Sequence, residues 1–275
     1  MTSQFKIAFF GTPDVSSKTL KHMVENGFMP SLVVTSPDKP VGRHFTMTPT
    51  PTKILAESFG IPILTPEKLD QNFIDEFKKY GCDISIVVAY GKIIPEKLIE
   101  LPKLGTYNIH YSLLPRWRGA TPVESAILAD DEKTGVTIQK MKYKLDAGDI
   151  VSIAETKIGE DETVLDLRER LIEEGSKLLV ETLPKIFSGD ITLMTQDESL
   201  VTHGGKTKKE DADITSVTDE RKKWLMYRAF YGWPRVYFIK DGKRYVVTSA
   251  KYENDMFVIE RVIPEGKKET DFKNI

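Results

Sequence analysis

Leu104-Gly105-Thr106-Tyr107-Asn108-Ile109-His110, continued by Tyr111-Ser112-Leu113-Leu114-Pro115-Arg116-Trp117-Arg118-Gly119, is where the fold of this chain is easiest to read. The first seven residues follow a turn-forming Pro102-Lys103 pair and are rich in β-branched and aromatic side chains, which predicts a strand. It is the last of five short apolar runs, at 5–10, 31–36, 61–64, 83–89 and 105–111. Segments of helical periodicity, such as 18–26 and 71–80, lie between them. This alternation predicts a Rossmann-like α/β domain, a mostly parallel sheet with helices on both faces. Ligands of such sheets sit beyond the carboxyl ends of the strands. Gly11, Ala89-Tyr90-Gly91 and His110 to Ser112 fall at those ends, so three segments should converge on one crevice.

Asn108, His110 and Ser112 alternate, which would point an amide, an imidazole and a hydroxyl to one face of the strand. Such groups can donate to a carbonyl oxygen that becomes an anion during acyl-type transfer. A carboxylate nearby would give the imidazole a base or an orienting partner. Leu145-Asp146-Ala147-Gly148-Asp149 supplies a candidate. Each piece also has a plainer reading. Asn-x-His alone is more often a satisfied pair at a strand end, and an Asp two residues before a Gly is more often a turn residue.

Composition narrows the field. With 275 residues, 40% apolar and 29% charged, the chain is long enough for one large and one small globular domain. Phe10-Gly11-Thr12-Pro13-Asp14 occupies the place of a dinucleotide fingerprint without its glycine spacing, which argues against NAD. The one cysteine, Cys82, cannot form an internal disulfide, and no run has the length of a membrane span, so a cytoplasmic location is expected. Histidines 22, 44, 110 and 203 show no metal-ligand spacing, and no metal is expected.

Net charge is −2, so any contact with nucleic acid must be local. Between 37 and 53 runs a long loop with Lys39, Arg43, Phe45 and Lys53, suited to phosphates and a stacked base. Helices are predicted at 121–129 and 165–187, and the chain turns polar around 198–214. From these come expected boundaries: a first domain over 1–200, a linker over 201–214 and a small domain over 215–275. From residue 201 onward basic side chains outnumber acidic ones 16 to 12, against 23 to 29 before it. Arg221-Lys222-Lys223-Trp224 and Arg228 to Arg235 suit a platform for RNA, although Trp224, Tyr227, Phe230, Trp233 and Phe238 are also what a small core needs. Strand-like segments at 235–240, 243–251 and 256–263 suggest a small, partly open barrel.

Taken together, Asn108, His110 through Pro122 and Leu145 to Asp149 resemble the N10-formyltetrahydrofolate-dependent formyltransferase family, and within it the enzymes acting on methionyl-tRNA. The resemblance is dense from residue 5 to about 205 and looser beyond. It implies Asn108, His110 and Asp146 as the catalytic trio. It also implies Ser112, Leu113, Leu114 and Pro115 as a folate-contacting segment, with Val88, Tyr90 and Gly91 against the pterin. The co-substrate would be 10-formyltetrahydrofolate. The partner would be initiator methionyl-tRNA, formylated for translation initiation, with Lys39, Arg43, Arg116 and Arg118 contacting the tRNA and a monomer as the working form. His44, Phe45 and Thr46 stand where many relatives carry further lysines. The small domain would be a shortened version of the family's oligonucleotide-binding (OB) fold. Alternatives are an amino-sugar N-formyltransferase, a formyltetrahydrofolate hydrolase, or a non-catalytic RNA- or folate-binding protein.

Overall fold

The structure, a computed structural model, describes residues 5–41 and 45–275. In chain order come β1 (Ile7–Gly11), α1 (Asp14–Glu25), β2 (Leu32–Val34), β3 (Lys39–Val41), β4 (Thr46–Thr48), α2 (Pro51–Ser58), β5 (Ile63–Leu64), α3 (Gln71–Lys78), β6 (Ile84–Val88), α4 (Glu96–Ile99) and β7 (Thr106–His110). They are followed by β8 (Arg118–Gly119), α5 (Pro122–Leu128), β9 (Lys133–Lys140), β10 (Asp149–Lys157), α6 (Val164–Ser188), β11 (His203–Gly204) and α7 (Glu220–Ala229). The last four strands are β12 (Tyr237–Lys240), β13 (Lys243–Glu253), β14 (Met256–Pro264) and β15 (Thr270–Asp271). Among the described residues no helix is long and apolar enough to cross a membrane.

Seven strands form the main sheet in the order β10-β9-β7-β6-β1-β2-β5. β1 pairs in parallel with β2 and β6, β2 with β5, and β6 with β7, so the expected mostly parallel α/β sheet is present. β7 meets β9 antiparallel. Every residue of β1 and β6 is buried, because central strands covered on both faces need continuous rather than alternating apolar side chains. Ile7, Phe9, Ile84 and Ile86 are fully enclosed. Each such side chain stabilises the fold by about 1.5–3 kcal/mol relative to exposure.

The chain runs outward from β1 to β2 and β5, then returns to place β6 on the other side of β1. That reversal opens a crevice at the strand ends, where Gly11, Val88 and His110 emerge. Gly11 is required by close approach: a Cβ there would lie 2.5 Å from the Cβ of Ser16 in α1. Ser16 Oγ donates to Val88 O at 2.6 Å, and Thr12 Oγ1 donates to Tyr90 O at 2.9 Å. The segment read as a long loop holds the antiparallel pair β3 and β4, with Lys39 opposite Thr48 and Pro40 opposite Met47.

Internal contacts divide the chain into two compact units. One comprises the described part of Met1–Arg118 with Gly135–Ala154 and Leu171–Val201; the other comprises Gly119–Thr134, Glu155–Arg170 and Thr202–Ile275. The second unit carries the β-rich region as a four-stranded antiparallel sheet, β12 to β15 in sequential order. Trp224, Tyr227 and Phe230 are buried in it, and Trp224 stacks on Tyr227 with ring centres 5.4 Å apart. Most cations of the proposed RNA platform are occupied. Arg221 grips Asp130 through two bonds, Lys223 pairs with Glu220, and buried Arg228 donates to the carbonyls of Gly159 and Glu162. Lys222 and Arg235 stay exposed.

In β9, a Cβ on Gly135 would collide with the Ala154 carbonyl of the neighbouring strand. Gly135→Ala is therefore expected to destabilise the protein by about 1–3 kcal/mol, read as a lower urea midpoint with unchanged slope.

Candidate active site

β7 delivers Asn108 and His110 to one face of the sheet, two residues apart. Across the antiparallel pairing, Gln139 of β9 lies opposite Asn108 and Thr137 opposite His110, so these four residues share that face. The Asn108 amide is half-buried and makes no hydrogen bond to the described residues, which leaves its donors for a ligand.

His110 is 6% exposed and its ring is held through Nε2. Nε2 lies 2.8 Å from the Trp117 carbonyl oxygen. A carbonyl only accepts, so Nε2 carries a proton and Nδ1 is the nitrogen left for chemistry. Nδ1 faces Asp146 Oδ1 at 3.6 Å, a separation longer than a hydrogen bond.

Asp146 sits in the left-handed region at φ +48°. Two glutamines hold its loop. Gln139 Nε2 donates to Asp146 Oδ1 at 3.0 Å, while Gln139 Oε1 accepts from Gly148 N at 3.0 Å. Gln196 Nε2 donates to Asp146 O at 2.8 Å and to Gly148 O at 2.7 Å. Gly148 must be glycine, since a Cβ there would strike the Lys140 carbonyl. Neither glutamine was singled out in the sequence. For Gln139 a signal existed, its register opposite Asn108, but register is not visible before strands are paired.

Several expected binding residues take other roles. Arg118 is 1% exposed; its Nε and Nη2 donate to Gln196 Oε1 and its Nη2 also to Glu198 Oε1 at 2.9 Å, so it cannot reach an RNA phosphate. The Arg118 guanidinium, with Lys144, holds the Glu198 carboxyl down at about 2. Ser112 is fully enclosed and its hydroxyl donates to Arg116 O at 2.6 Å, because the strand ends at His110 and the chain turns there. Val88, Tyr90 and Leu114 bury their side chains in the core, Tyr90 edge-on to Phe10 with ring centres 5.4 Å apart. What remains open near those positions is Ala89 and Gly91, both exposed at positive φ, and half-buried Leu113 and Pro115. Lys39 is exposed, and Arg116 lies over the Trp117 ring at 4.3 Å. Arg43 lies outside the described residues.

Residues 5–183 match the family described as formyl transferase. The chain is 41% identical over 234 residues to the methionyl-tRNA formyltransferase of Sulfurihydrogenibium sp. (strain YO3AOP1), covering 84% of this chain and 75% of that protein. It is 42% identical over 226 residues to the enzyme of the same name from Thermotoga sp. (strain RQ2), covering 82% and 72%. Among solved structures it is similar to methionyl-tRNA formyltransferase from Clostridium thermocellum, with TM-score 0.62, 18% identity and coverage of 97% and 99%. It is also similar to an N-formyltransferase from Helicobacter canadensis in complex with folinic acid and dTDP-3-aminofucose, with TM-score 0.68, 16% identity and coverage of 91% and 89%. These two structural likenesses concern the fold alone.

Burial pushes the Tyr90 hydroxyl up to about 12, and its oxygen has no hydrogen-bond partner among the described residues. Tyr90→Phe is expected to stabilise the protein by about 1 kcal/mol in thermal unfolding; a marked loss would mean that the hydroxyl has a function.

Proposed function

The chain belongs to the formyl transferase family, and from that membership we propose that it transfers the formyl group of 10-formyltetrahydrofolate to the amino group of methionine on initiator tRNA. The observation that carries this reading is the uncommitted Asn108 amide on the same strand face as His110, whose Nδ1 is turned to Asp146. Relatives about 40% identical bear the methionyl-tRNA name, whereas the amino-sugar enzyme is similar in fold only.

The neutral amine attacks the formyl carbon, forming a new C–N bond and an oxyanion. Asn108 donates its side-chain N–H to that oxygen as charge develops. His110 Nδ1 takes the proton leaving the amine, and Asp146 stabilises the imidazolium so formed. When the bond from the formyl carbon to N10 breaks, the same proton passes to N10, and the balance closes with no other reactant. Trp117 O keeps the ring from rotating through these steps by holding Nε2–H.

Ala89 and Gly91 offer backbone to the pterin, and Leu113 and Pro115 offer apolar surface. Lys39, Arg43 and Arg116 contact tRNA phosphates. Residues 1–200 form the transfer domain and 215–275 the small tRNA-binding domain, joined by 201–214. The protein acts in the cytoplasm as a monomer, without metal.

Asn108→Ala is expected to lower kcat for formylation of methionyl-tRNA by about 10²–10³-fold while the protein stays folded. Asp146→Ala and His110→Ala should abolish it; near-native turnover in any of the three, measured with labelled donor, overturns the assignment.

A further inference from the structure

Arg118 and Gln196 do more than fill space. Gln196 Oε1 is taken by two donors of one guanidinium, which leaves its Nε2 hydrogens no choice but to point away from Arg118. They land on two carbonyls of one loop, those of Asp146 and Gly148. The guanidinium is itself fixed by Glu198, which also binds Lys144 Nζ at 2.9 Å. Gln196 is 6% exposed and Arg118 1%, so water competes little for the bonds between these two side chains. The chain of contacts therefore runs from Arg118 through Gln196 to the backbone of the residue whose carboxylate faces His110.

We propose that Arg118 and Gln196 are positioning residues for formyl transfer: through the carbonyls of Asp146 and Gly148 they set where the Asp146 carboxylate stands relative to His110 Nδ1. This rests on the formyl-transfer reading of the site. Gln139 holds the same carboxylate from the β9 side. Without Gln196, the loop of the left-handed Asp146 loses the donor to both of its carbonyls and gains freedom to move, on the order of an ångström. Displacement on that scale costs about 10²-fold in rate.

The decisive variant is Gln196→Met, similar in length and unable to hydrogen-bond. In protein whose near-ultraviolet circular dichroism is native, kcat for formylation should fall about 10²-fold with the KM of both substrates little changed. In an Asp146→Asn background the same substitution should cost nothing further, because both act through one carboxylate. Gln196→Glu keeps a partner for Arg118 but has no donor for the two carbonyls, so it should fall with Gln196→Met; full activity would reduce Gln196 to a neutraliser of Arg118 and overturn the proposal. A readout independent of the acceptor is the 15N shift of the His110 ring. It should move in Gln196→Met as it does in Asp146→Asn, and an unmoved resonance also overturns the proposal. Native protein that fails to formylate methionyl-tRNA would sink the functional reading instead, while the ring resonance still judges the positioning.

Discussion

The hydrogen bond from His110 Nε2 to the Trp117 carbonyl decides what the imidazole can do. It assigns the proton to one nitrogen and leaves the other turned to a carboxylate. It also explains why the segment after β7 is shaped as it is. Trp117 takes φ +61°, and Ser112 Oγ ties back to Arg116 O, so the turn returns a carbonyl to the ring seven residues earlier. Thr137 reinforces the turn, donating through Oγ1 to Ser112 O and accepting from Leu114 N. A polar stretch that looks like a ligand-binding surface is largely the scaffold that aims one histidine.

The Asp146 loop follows the same logic with larger opposing terms. A left-handed residue other than glycine costs about 1–2 kcal/mol. Four hydrogen bonds from two buried glutamines hold the loop, each worth about 0.5–1.5 kcal/mol net. The bonds outweigh the strain, so the protein's own contacts sustain the strained conformation. Preorganisation of this kind matters because groups already in place need not reorganise as charge develops. Asn108 is the exception: among the described residues its amide has no hydrogen-bond partner.

The parallel sheet was legible because its central strands are buried on both faces, and Ile7–Gly11 and Ile84–Val88 read as unbroken apolar runs. Asn108, His110 and Asp146 stood out in the sequence only as a combination, and the structure places Asp146 Oδ1 3.6 Å from His110 Nδ1. Gln139 and Gln196 were not, since a glutamine has no local pattern that marks it; their importance comes from strand register and from a contact across 50 residues. Arg118 misled for a related reason. An arginine in a polar string reads as exposed, and only the buried acceptors at Gln196 and Glu198 reveal that it faces inward. Tyr90 and Val88 misled because a strand's carboxyl end presents backbone to a crevice while its side chains still serve the core.

If an amide, an imidazole and a carboxylate cooperate here on one formyl group, the identity of the acceptor is the most direct question to ask. The native protein would be given formyl-labelled 10-formyltetrahydrofolate with methionyl-tRNA and a nucleotide-linked amino sugar present together, and the label followed to its product. Label is expected on the methionine of the tRNA and none on the sugar. Label recovered as free formate or on the sugar, with the tRNA unmarked, would contradict it.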